Sequence, residues 1–130
     1  MKYILISIVL ILSSLNAEHI RWYSSYDKAH QEALKDKKLL MVLLIEDNCI
    51  SCTEMIKTTF QNQSYIKYLN ENFISVIVTK GQVQSYPIEM LYTMEYPSVF
   101  FLNEQELFIG ENIFGYTGSE AFKKHLKLYF

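Results

Sequence analysis

Glycine and proline are scarce in this chain, with four and two among 130 residues. That scarcity excludes collagen-like and Pro/Gly-rich low-complexity structure. Cysteine is scarcer than in any disulfide-framework miniprotein, since two residues make at most one intrachain bridge. Neither sign of charge dominates: 12 Lys and Arg face 14 Asp and Glu, for a net charge of −2. The basic residues form no cluster, so a nucleic-acid partner is not expected. What is present is apolar, with 50% hydrophobic and 15% aromatic residues. This composition excludes an intrinsically disordered chain. One domain is expected, because domains commonly run to about 100–150 residues.

The apolar residues begin early, in MKYILISIVLILSSLNAEHI. Lys2 provides a positive start, Ile4 to Leu12 is an apolar run broken only by Ser7, and Ser13 to Ala17 supplies a cleavage-type region. This order is that of a secretory signal peptide, predicted over residues 1–17, with residues 18–130 as the single domain. The run is about half the ~20 residues that a spanning helix needs. Leu15 is larger than the small residue preferred there, so an uncleaved anchor is the alternative. Export predicts a periplasmic location, where disulfides persist.

Downstream, His19 to Tyr23 is a short extended segment. Ser24 or Ser25 caps a helix in which Tyr26, Ala29, Ala33 and Leu34 recur at helical spacing. KLLMVLLIE (38–46) has no alternation and predicts a strand buried on both faces. Residues 49–60 read as a helix with a stripe of Cys52, Met55, Ile56, Thr59 and Phe60, and helix resumes over 65–72. FISVIVT (73–79) and SVFFLN (98–103) are further strands, with a short helix expected from Pro87 between them. A turn at NEQE leads to a strand in 107–116, and Thr117 to Glu120 has a capping-box pattern for the last helix. The order predicts an α/β fold with a mixed sheet.

The chemistry lies in Cys49-Ile50-Ser51-Cys52, between the first buried strand and a helix. Residues i and i+3 share a helix face, so the two sulfurs can meet. Unpaired N–H groups and the positive dipole end at the helix start favour a thiolate on Cys49. An exposed attacking thiol with a resolving thiol one turn behind has the parts for thiol–disulfide exchange. A structural disulfide is the main alternative, although so small a loop constrains little of the chain. A zinc site would need about four ligands, and the remaining soft donors are His19, His30 and His125, none paired. A c-type haem would need His after the second Cys, where Thr53 stands. His30 and His125 read as surface residues. Tyr86, Tyr92 and Tyr96 are candidates for an apolar docking surface.

Taken together, RWYSSYDKAHQEALKDKK, the buried strand ending in CxxC, YPSVFFLN, and a Gly-Tyr before the last helix resemble the thioredoxin fold family. The opening helix followed by KLLMVLLIEDNCISC is most similar to short secreted bacterial members, of the SoxW type or like the C-terminal domain of DsbD. The resemblance implies a thioredoxin-like fold, with a mixed sheet of about four strands flanked by helices. It implies Cys49 as nucleophile and Cys52 as resolving thiol, while the residues themselves predict no cofactor or metal. It also makes Tyr96-Pro97 a cis-proline segment that offers backbone to an extended substrate peptide. Expected partners are envelope proteins with thiols or disulfides and a membrane electron-transfer protein, met by a monomer.

The sequence departs from thioredoxin itself in three places. Asn48 replaces Trp before the first Cys, Ile50-Ser51 replaces Gly-Pro, and Leu43 stands where a buried Asp is kept. Glu46 and Asp47 are the nearest carboxylates, and they act on a Cys49 thiolate in the sense opposite to the helix terminus. The function predicted is an exported thiol–disulfide oxidoreductase, leaning to reductase. The alternative is a non-catalytic binding module with a locked Cys49–Cys52 disulfide.

Overall fold

The structure, a computed structural model, describes residues 17–82 and 91–130. Its elements run β1 (Trp22–Tyr23), α1 (Tyr26–Asp36), β2 (Leu39–Ile45), α2 (Ile50–Lys57), a 3-10 turn (Thr59–Gln61) and α3 (Gln63–Asn72). They continue with β3 (Phe73–Thr79), β4 (Ser98–Leu102), β5 (Ile113–Phe114) and α4 (Ser119–Tyr129). The strands form one five-stranded sheet in the order β1-β3-β2-β4-β5. β2 runs parallel to β3 and antiparallel to β4, so the sheet is mixed.

β2 is central because both of its faces are apolar. Leu40, Val42 and Leu44 point into a core with Tyr26, Ala29 and Ala33 of α1. Met41 and Leu43 point the other way, into a core with Met55, Phe60, Tyr65, Ile66 and Phe122. β3 and β4 sort their residues by the same two-residue period, Val99 and Phe101 joining one core and Phe100 and Leu102 the other. Among the described residues, one helix thus covers one face and three cover the other.

Local chemistry sets the boundaries. Ser25 caps α1, its hydroxyl accepting the Lys28 N–H at 3.4 Å. α2 stops at Thr58, whose hydroxyl donates back to the Glu54 carbonyl at 2.7 Å. The single helix expected over 49–60 is therefore broken before the 3-10 turn. Thr59 is fully buried and donates to the Thr117 carbonyl at 2.6 Å, fastening this turn to the entry of α4.

Three sequence expectations shift. Leu34, expected on the buried stripe of α1, is 50% exposed. The strand expected over 107–116 shrinks to Ile113–Phe114 and an isolated bridge between Leu102 and Phe108. Gly110 and Gly115 lie between and beside these pairings at φ +67° and +84°, which an extended strand cannot contain. The capping box at Thr117 does not form: Gly118 is the N-cap, and the Thr117 hydroxyl turns back to the Gly115 carbonyl at 3.3 Å. The segment expected as a signal peptide lies outside the described residues except for Ala17, and the helix expected from Pro87 has its start there. No helix among the described residues is long and apolar enough to cross a membrane.

Candidate active site

The C-terminal end of β2 leads into the site. Asp47 and Asn48 turn the chain, and Asn48 takes φ +57°, a left-handed conformation that Asn tolerates better than most residues. Cys49 follows in extended conformation as the N-cap of α2, its sulfur accepting the Cys52 N–H at 3.1 Å. Cys49 and Cys52 are joined in a disulfide, with 5.2 Å between their Cα atoms. Cys52 is only 2% exposed, whereas Cys49 is half-buried at the surface. Ile50, between them, is 83% exposed and projects an apolar side chain beside the sulfur.

A second segment arrives from the start of β4. The Tyr96–Pro97 peptide bond is cis, Pro97 is buried and Tyr96 is half-buried. The Ser51 hydroxyl donates to the Tyr96 carbonyl at 3.2 Å, and the same oxygen lies 3.4 Å from the Cys49 sulfur. The two segments are therefore in direct contact. Behind them, the fully buried Ser98 donates to the Glu95 carbonyl at 2.6 Å and lies 2.8 Å from the Thr93 hydroxyl. The Gly115 N–H donates to the Pro97 carbonyl at 2.8 Å. Gly115 lies at φ +84°, a left-handed conformation that side-chain-bearing residues rarely adopt, so this turn favours glycine.

A third segment closes the cleft. Tyr116 follows β5, its hydroxyl 3.3 Å from that of Thr58. Cys49, Ser51, Tyr96 and Tyr116 line an open cleft that Glu46 and Glu54 border. Asp47 borders an adjoining depression on the other side of Cys49. Lys80 Nζ stands 5.3 Å from the Tyr96 ring centre. Tyr92 is exposed with Met94 and Phe114 in a neighbouring groove, and Tyr86 lies outside the described residues.

Sequence reasoning named Cys49, Cys52, Tyr96 and Pro97, and these come together. It missed Ser51 as a link, the pair Thr93 and Ser98 that fixes the loop before Tyr96, and Tyr116 on the far wall. Asn48 carried a signal, since an Asn directly before a helix cap is a common left-handed residue. The position of the missing acid is plain: Leu43 is fully buried within β2. Among the described residues no group of three or more His, Cys, Asp or Glu side chains is placed to hold a metal.

His30 and His125 are not simple surface residues. His30 bridges α1 to the 103–106 turn, its Nε2 2.8 Å from the Glu104 carbonyl and Nδ1 3.0 Å from the Glu106 carboxylate. His125 stacks on Phe101 with ring centres 5.2 Å apart, and its buried Nε2 has no hydrogen-bond partner among the described residues. Burial holds the His125 pKa below its ordinary value, against the opposing pull of Glu111.

A family model described as thioredoxin-like matches residues 21–104. No curated protein is significantly similar to the chain in sequence. Among solved structures, it is similar to a DsbH oxidoreductase, at 16% identity and a TM-score of 0.65, over 88% of this chain and 86% of that one. It is similar to the oxidised C-terminal domain of DsbD from Neisseria meningitidis, at 17% identity and a TM-score of 0.63, over 80% and 92% of the two chains. A protein from Bacteroides thetaiotaomicron, titled as a proposed disulphide-isomerase, aligns at 22% identity with a TM-score of 0.70, over 87% and 94%.

Proposed function

The chain belongs to the thioredoxin-like family, and from that premise we propose that it is an exported thiol–disulfide oxidoreductase of a bacterial envelope. The observation that carries this reading is the asymmetry of the pair: a half-exposed Cys49 at a helix cap, bonded to a Cys52 that is 2% exposed. In the reducing direction, the Cys49 thiolate attacks one sulfur of a partner's disulfide. A mixed disulfide forms and the partner's other sulfur leaves as a thiolate that takes a proton. Cys52, deprotonated, then attacks Cys49 and expels the second partner thiol. The pair loses two electrons and two protons, and the partner disulfide gains both.

Tyr96-Pro97 supplies the substrate-binding backbone in this reading, since it sits against the Cys49 helix and Pro97 has no N–H to compete there. The partners proposed are envelope proteins carrying thiols or disulfides, with a membrane protein returning electrons to the pair. The charged start, short apolar run and Ala17 support export to the periplasm.

Titration of the purified protein against glutathione, with alkylation to count free thiols, tests the activity. The expected result is a reversible two-thiol transition. A pair that stays bonded across the whole range would favour the binding module with a locked disulfide. Mass spectrometry of envelope-purified protein tests export: a mature chain starting at Glu18 is expected, and one starting at Met1 would establish an anchor.

A further inference from the structure

Ser51 stands between the two reactive parts of the cleft. Its hydroxyl donates to the Tyr96 carbonyl at 3.2 Å and lies 3.4 Å from the Cys49 sulfur. A hydroxyl has one proton and can donate to only one of them at a time. In the disulfide the sulfur is neutral and a weak acceptor, so the carbonyl holds the proton. Reduction reverses that order, because hydrogen bonds to an ionised acceptor are about twice as strong as neutral ones.

We propose that the Ser51 hydroxyl is a redox-responsive switch, capping the Tyr96 carbonyl in the oxidised protein and turning to the Cys49 thiolate in the reduced one. The proposal rests on the exchange activity proposed above. Once reduced, Cys49 has two donors, the Cys52 N–H at 3.1 Å and the Ser51 hydroxyl. At the same moment the Tyr96 carbonyl is released to accept an N–H from an extended partner peptide. The form able to attack a disulfide is thus the form that presents its backbone for strand addition. After exchange the Cys49–Cys52 bond neutralises the sulfur, Ser51 returns to Tyr96, and the partner strand loses part of its acceptor. A carbonyl has two lone pairs, so capping weakens partner binding rather than abolishing it.

Among the described residues, the charged groups around Cys49 are Glu46 and Asp47 after β2, Glu54 on α2, and Lys80 beside the Tyr96 ring. They are common to every Ser51 variant, so differences between variants isolate the hydroxyl. Ser51→Ala and Ser51→Thr are reduced with a phosphine and titrated by the ultraviolet absorbance of the thiolate. Ser51→Ala should raise the apparent pKa of Cys49 by about one unit, a tenfold loss of thiolate at a pH well below that pKa. Where Cys49 is ionised, its equilibrium with glutathione should shift about tenfold toward the disulfide, or ~30 mV more negative. Ser51→Thr keeps the hydroxyl and should behave as the wild type. Isotope-edited infrared spectra of carbonyl-labelled tyrosine should contain a band that moves to higher frequency on reduction, in the wild type and not in Ser51→Ala. Equal Cys49 pKa values in all three proteins would overturn the switch. A wild-type pair that glutathione cannot reduce, with the Ser51 effect on the pKa intact, would overturn the exchange activity and support the donor role of Ser51.

Discussion

Leu43 in β2 lies directly opposite Val99 in β4, and both side chains are completely buried. The position in β2 six residues upstream of Cys49 is therefore sealed and apolar. Thioredoxin itself, which the sequence resembles, keeps an acid at this position, whereas here a fully buried Leu43 fills it.

Leu43→Asp is accordingly expected to cost roughly 3 kcal/mol at neutral pH, from an unpaired carboxylate in an apolar core. Burial would raise the pKa of the introduced carboxyl above its unfolded value. Its neutral form is tolerated better, so the deficit should shrink as pH falls toward 4. Urea denaturation at pH 7 and near pH 4 measures both. Full stability at pH 7 would mean that the position is polar in solution.

The cysteines should be unequal. Cys52→Ser is expected to trap partners as mixed disulfides on Cys49, since the resolving thiol is gone. Cys49→Ser should trap few, because Cys52 lies beneath Cys49 at 2% exposure. Non-reducing electrophoresis of both variants after exposure to a disulfide-bonded protein decides between them, and the reverse pattern would exchange the two roles.

Asn48→Val places a β-branched residue at φ +57° and should destabilise the protein by about 1–2 kcal/mol. Asn48→Gly should be close to neutral, since glycine adopts that conformation freely. Because the turn aims Cys49, the valine variant should also react more slowly with glutathione than its stability loss explains. Chemical denaturation and exchange kinetics on the two variants separate these effects.

Below pH 6.5 the stability of the protein should fall partly through His125. Its folded pKa is depressed by burial, so as pH drops the unfolded chain takes up the proton first. The contribution is full above the ordinary value of 6.5 and is lost as pH falls toward the folded pKa. His125→Gln should lose less stability than the wild type between pH 7.5 and 5.5. Parallel loss in both would mean that the proton reaches the folded ring without penalty.

Much of the fold was legible because β2, β3 and β4 are nearly continuous apolar runs, which only a sheet covered on both faces explains. The Cys pair was legible from its spacing alone. The contact of Ser51 with Tyr96 was not, because it joins residues 45 apart and neither carries a pattern. The strand after the 103–106 turn is shorter than its apolar residues from Leu107 to Phe114 suggest, because the positive φ at Gly110 interrupts it. At Gly110 a Cβ would come within 2.8 Å of the Tyr129 ring, so this glycine answers to the packing of α4. His125 was not legible for a similar reason: charged neighbours on its helix say nothing of the Phe101 ring beneath it.

The depth at which Cys52 is set has a practical corollary. When both thiols are free, a small alkylating reagent meets Cys49 directly, but Cys52 only when α2 lifts from the sheet. With Cys49 replaced by Ser, the labelling rate of Cys52 becomes a clock for that opening, read without denaturant. The protein carries its own probe of local unfolding at the place where its chemistry is done.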